Sequence, residues 1–188
     1  WKRRIMPFVH RAERNIMSKT AVIYKSKTGF TCKYAQWIAE ETGCDLFSYE
    51  QREKVDFSRY DTILYGGGFY AGTIGGLKWF KKKLPELSGK KTAVFATGST
   101  PANTPEAEKA MKQNFTPEEQ KQLKTFYLQS GLDYEKMGGA DRFLMSMFRG
   151  MMKKTEGEDS EMYRAISASH DNSSREFLKE LFDWLRNG

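Results

Sequence analysis

The sequence predicts a doubly wound α/β domain built on an open parallel sheet, and three observations predict it. Strand-length apolar runs alternate with amphipathic helical segments in the order β-α-β-β-α-β-α-β-α. That alternation implies βαβ units with right-handed crossovers. At 188 residues the chain fits one domain with a sizeable core. Three of the strands run straight into turns rich in Gly, Ser and Thr, at the strand ends where open α/β sheets hold ligands.

The first strand spans about Thr20 to Lys25 and the first helix Thr31 to Thr42, stopped at Gly43. Between them lies Ser26-Lys27-Thr28-Gly29-Phe30-Thr31. A strand passing through such a turn leaves free N–H groups at the helix start, and with the helix dipole and the hydroxyls they form an anion site. The turn has neither the spacing of a P-loop nor the three glycines of a dinucleotide fingerprint. An ordinary Ser/Thr-rich helix cap is the plainer alternative.

A second strand, Cys44 to Tyr49, leads through a charged loop to a third at Asp61 to Tyr65, which ends in Gly66-Gly67-Gly68. Consecutive glycines mark a place where backbone approaches something closely. Phe69, Tyr70, Ala71 and Gly72 follow, so these aromatics either flank a ligand or cap the core. Helix two runs from about Ile74 to Leu84 and stops before Pro85. A fourth strand, Ala93 to Ala96, opens into the third loop, Thr97-Gly98-Ser99-Thr100. Thr104-Pro105 and Thr116-Pro117 each read as an N-cap followed by proline at the first helical position, and Thr116 with Glu119 fits a capping box. The fifth strand is placed at Lys124 to Gln129 and the last helix at Ser174 to Arg186, announced by Ser173 and Glu176 as a second capping box.

Composition narrows the function. The net charge is +7, but residues 1–16 carry +4 of it, through Lys2, Arg3, Arg4, Arg11 and Arg14 against Glu13. Met17 reads as a natural start, with residues 1–16 a basic extension or remnant before a domain spanning 17–188. No basic face accompanies that arm, so no nucleic-acid partner is expected. Cys32 and Cys44 are expected to be buried and reduced, and His10 and His170 have no ligand spacing, so no metal site is assigned. No apolar run reaches membrane-span length and no signal-peptide pattern is visible, which points to a cytoplasmic chain.

An insertion of about residues 131–170 separates the fifth strand from the last helix. Within it Gly139 to Lys154 forms an amphipathic helix: Ala140, Phe143, Leu144, Met147, Phe148 and Met151 share one side, Arg142, Ser146, Arg149 and Lys153 another. Its apolar side either packs on the domain as core or meets a partner. Basic amphipathic helices also lie on anionic membrane surfaces, so a peripheral contact at the inner face of the membrane is a second expectation.

The pattern S-x-T-G-x-T after a strand resembles the phosphate loop of flavodoxins, with acceptable residues at Val22, Ile23, Tyr24, Ser26, Gly29, Thr31 and Ala35. The resemblance implies a flavodoxin-like open five-stranded parallel sheet of order 2-1-3-4-5, with helices on both faces and a helical insertion before the last helix. It also implies FMN as cofactor. The phosphate would lie on Ser26 to Thr31, the flavin ring beside Gly68, Phe69, Tyr70, Ala71 and Gly72, and its pyrimidine side at Thr97, Gly98 and Ser99. More narrowly, Asp141-Arg142-Phe143-Leu144, Met151-Met152-Lys153 and Gly157-Glu158-Asp159 resemble the insertion of menaquinone-dependent protoporphyrinogen oxidases. The chain departs from those enzymes in having no Arg beside its loop aromatics. That likeness implies an FMN-dependent oxidoreductase passing electrons from a tetrapyrrole or other reduced substrate to a quinone. A non-enzymatic flavodoxin carrier is the alternative. No side-chain acid, base or nucleophile is required, so no catalytic residue is assigned.

Overall fold

A computed structural model describes residues 19–187; the basic arm and Met17 lie outside the described residues. Five strands form the parallel sheet: β1 (Thr20–Lys25), β2 (Asp45–Ser48), β3 (Thr62–Tyr70), β5 (Lys91–Gly98) and β6 (Lys124–Gln129), in the order β2-β1-β3-β5-β6. This is the 2-1-3-4-5 order once the two-residue β4 (Thr73–Ile74) is set aside, since β4 only pairs antiparallel with the end of β3.

Successive strand residues feed opposite faces. Ile23, Ile63, Tyr65, Val94 and Ala96 point to one side and pack on Leu77 and Phe80 of α2 (Leu77–Lys83) and Met111 of α3 (Pro105–Lys112). Val22, Leu64, Ala93, Phe95 and Leu128 point to the other. There they meet Tyr34, Ala35 and Ile38 of α1 (Phe30–Thr42) and Leu181 and Leu185 of α7 (Lys179–Arg186). A parallel sheet buried on both faces accounts for the near-continuous apolar strands. The caps at Thr104 and Thr116 form as expected, and Thr116 with Glu119 completes a capping box before α4 (Pro117–Gln122).

Four expectations are corrected. The third strand does not stop at Tyr65 but runs to Tyr70, because the glycines make room for protein rather than for a turn. A Cβ on Gly66 would lie 2.2 Å from the Phe95 ring, and one on Gly67 would lie 2.7 Å from the Gly75 carbonyl oxygen. Helix two begins at Leu77 instead of Ile74: Gly75 N–H donates to Gly68 carbonyl, and Gly76 turns the chain with φ 76°. The last helix is a 3-10 turn (Arg175–Leu178) followed by α7, and its cap is Ser174, which accepts from Glu176 N–H; Ser173 N–H instead donates to Asp171. Finally, Cys32 and Cys44 are half-buried free thiols rather than core residues.

The insertion closes on its own stem. β7 (Gly131–Leu132) pairs antiparallel with β8 (His170–Asp171), and α5 (Gly139–Thr155) packs on α6 (Glu161–Ser167) between them.

Candidate functional site

At the carboxyl ends of β1, β3 and β5 the three loops converge on one cavity of about 490 Å³. Thr31, at the start of α1, is buried and shares a 2.8 Å hydrogen bond with the buried Thr97 hydroxyl at the end of β5. Gly68 packs against this bonded pair: a Cβ there would sit 3.6 Å from Thr31 Oγ1 and 3.7 Å from Thr97 Oγ1. The side-chain-free position therefore keeps the floor of the cavity open.

The first loop is shaped for an anion. Gly29 caps α1 with φ 97°, a conformation that suits glycine, and supplies no side chain to occupy the helix start. Its own N–H donates to Ser26 Oγ at 3.1 Å, and the first turn of α1 holds no acidic residue. The remaining donors and the positive end of the helix dipole thus face outward beside Ser26, Thr28 and Thr31.

The second loop is a tight hairpin between β3 and β4. Ala71 (φ 46°) and Gly72 (φ 79°) both adopt positive φ, as a two-residue turn of this hand requires. Asn114 and Gln113, at the end of α3, each donate at 2.9 Å to Gly72 carbonyl and hold the tip in place. Phe69 leans on Tyr127 of β6, ring centroids 5.9 Å apart, and forms one apolar wall. Burial, with the nearby Asp141 charge, pushes the Tyr70 hydroxyl pKa up, so it stays a neutral phenol.

Of the residues read from sequence, Ser26, Lys27, Thr28, Phe30, Thr31, Gly68, Phe69, Tyr70, Ala71, Thr97, Gly98 and Ser99 line this cavity. Gly29 and Gly72 shape its loops from behind without lining it. Sequence reasoning missed Tyr127 beside Phe69, and the opposite wall made by Leu132, Met137, Asp141, Leu144, Met145 and Phe148 of the insertion. The apolar periodicity of α5 was the signal available, but periodicity does not say where a helix sits.

α5 is oriented against one expectation. No residue of it is buried, so its apolar side is not domain core. Phe143 is 66% exposed and Leu144 and Met147 59% each. Its half-buried residues are Asp141, Met145, Arg149 and Met152, with Arg149 donating to Ser167 carbonyl at 3.4 Å, while Arg142 stays exposed and donates to Tyr134 carbonyl at 2.6 Å. Among the described residues, no group of His, Cys, Asp and Glu could hold a metal, and no helix is long and apolar enough to cross a membrane.

A flat, amphiphilic phosphate ester fits these walls: an anion cradle at one end, a glycine floor and an apolar, aromatic slot beyond. FMN is such a molecule. Residues 21–161 match the flavodoxin domain family. Flavodoxin 1 of Azotobacter vinelandii is 32% identical over 94 residues, 44% of this chain. The chain spans about half, 53%, of that protein's length. Among solved structures, a flavoprotein in complex with FMN from Lactobacillus acidophilus is similar at 20% identity and TM-score 0.41, over 60% of this chain and 92% of that one. The Trp repressor binding protein of Bacillus subtilis is similar at 14% identity and TM-score 0.45, over 67% and 97%. On the family match, which covers most of its length, the chain belongs to the flavodoxin family of FMN-binding domains.

Proposed function

We propose that this chain is an FMN-dependent oxidoreductase that takes electrons from a reduced apolar substrate, such as a tetrapyrrole, and delivers them to a quinone. The observation that carries this reading is the apolar outer face of α5, whose Leu144 and Phe148 also line the flavin cavity. An exposed apolar face continuous with a redox site favours partners that are themselves apolar. It equally favours a lipid surface in which such partners dissolve. When bound, FMN supplies the redox chemistry. The chain's residues bind and orient it: Ser26, Thr28, Thr31 and the α1 N–H groups would take the phosphate, and Phe69 and Tyr70 would flank the ring. The insertion wall would exclude water from the ring's open side.

A flavodoxin-type carrier is the second reading, favoured by the match to Flavodoxin 1. The two separate on one assay. FMN-loaded protein is mixed anaerobically with protoporphyrinogen and a short-chain menaquinone analogue. Multiple turnovers support the oxidoreductase. Flavin reduction only by protein donors, with no turnover, would support the carrier.

A further inference from the structure

The phosphate loop and the insertion are tied together by charge. Lys27, within the Ser26–Thr31 turn, places its ammonium 2.8 Å from Asp141 Oδ2 and 3.1 Å from Oδ1. The same ammonium lies over the Tyr70 ring, 4.0 Å from its centroid. Lys33, one turn into α1, pairs with Asp171 of β8 at 2.7 Å. Both lysines beside the cradle are therefore engaged by carboxylates of the insertion, one near the start of α5 and one in its stem.

A phosphate monoester brings between one and two negative charges into a cradle otherwise made of neutral donors. Lys27 is the cation carried by that cradle itself. It cannot give its full charge to the phosphate while Asp141 holds it. Half of the Lys27 side chain is exposed and its lysine stem is flexible, so its head can swing between the two anions. We propose that FMN phosphate and Asp141 compete for Lys27. Asp141 is then a positioning residue: it docks α5 against the cofactor loops and lowers FMN affinity while it does so. By reciprocity, phosphate binding loosens the insertion by the same factor that the docked insertion weakens FMN. Cofactor loading and the opening of the apolar wall become one equilibrium.

The inference rests on the FMN reading above, and riboflavin, which lacks the phosphate, separates the two. Apoprotein is titrated with each flavin by fluorescence quenching. Asp141→Asn should tighten FMN by about threefold to tenfold, the scale of a partly exposed charge pair, and leave riboflavin unchanged. In a Lys27→Met background the same substitution should leave FMN affinity unchanged, because the competition no longer exists. Chymotrypsin should cut α5 faster in FMN-loaded than in riboflavin-loaded wild type, and equally in Asp141→Asn. Tightening that persists in Lys27→Met would show simple charge repulsion and overturn the competition. An Asp141→Asn chain with wild-type affinity for both flavins would also overturn it, leaving FMN binding intact. A wild type that binds neither flavin overturns both readings.

Discussion

The two walls of the cavity are held by different forces. On the loop side the ties come from buried side chains: Thr31 to Thr97, Tyr65 hydroxyl to Gly75 carbonyl at 2.7 Å, and Tyr34 hydroxyl to Gln129 carbonyl. Each leans on strands whose central residues are fully buried. On the insertion side α5 buries no residue and is held by arginine-to-carbonyl bonds and by partly exposed ion pairs. Exposed pairs contribute about 0–1 kcal/mol each, whereas breaking a buried polar contact costs about 1–3 kcal/mol. One wall is therefore rigid scaffold and the other is drawn from the low-stability end of the molecule, where movable elements are found. On the function proposed above, the difference separates holding a cofactor from admitting a partner.

The largest effect is expected in the scaffold. Gly66→Ala drives a methyl into the Phe95 ring, which is fully buried and cannot retreat. Thermal or urea unfolding should show a loss of about 1–3 kcal/mol; wild-type stability would mean that the sheet yields there more easily than its packing implies. Next, Thr28→Ala with Thr31→Ala removes two hydroxyls from the cradle, one of them bonded to Thr97. Equilibrium titration should show FMN affinity lower by at least about tenfold, since one charge-assisted bond is worth that much.

A smaller effect sharpens the contrast at the hairpin. Ala71 holds a left-handed conformation that costs roughly 1 kcal/mol for a residue with a Cβ. Ala71→Gly should raise stability or leave it unchanged; a clear loss would mean that its methyl packs in the cavity wall. The smallest concerns the stem. Burial raises the Asp171 pKa, but its bonds with Lys33 and Ser173 outweigh this and the net value is lowered. A carboxylate lowered on folding adds stability above its unfolded value, about 3.9, and loses it as pH falls through the folded value. An NMR titration should place Asp171 below an unstructured aspartate, and Lys33→Met should move it back up.

The sheet and its three loops were legible because each strand ends in a local signal that owes nothing to distant residues. Val22 to Thr31 reads as strand, anion turn and helix whatever surrounds it. What failed depended on tertiary neighbours. Gly66 and Gly67 look like a strand end until Phe95 and Gly75 are seen filling the space above them. Gly75 and Gly76 delay helix two for the same reason, through a bond back to Gly68. For α5 the sequence revealed which residues share a side but not which side faces in. The half-buried side carries Asp141, Met145 and Arg149; Asp141 is tied to Lys27 and Arg149 to Ser167 carbonyl, partners 114 and 18 residues away along the chain.

The most direct test of two separable walls is to remove one. Replacing residues 133–169 with a short flexible linker joins Leu132 to His170, which the stem already pairs. Such a change in loop length costs little by itself. We expect a folded, yellow protein whose FMN affinity is at least that of the full chain and whose quinone turnover falls at least about tenfold, a change of about 1.4 kcal/mol in the barrier. A colourless or aggregated product would contradict this and make the insertion part of the cofactor scaffold.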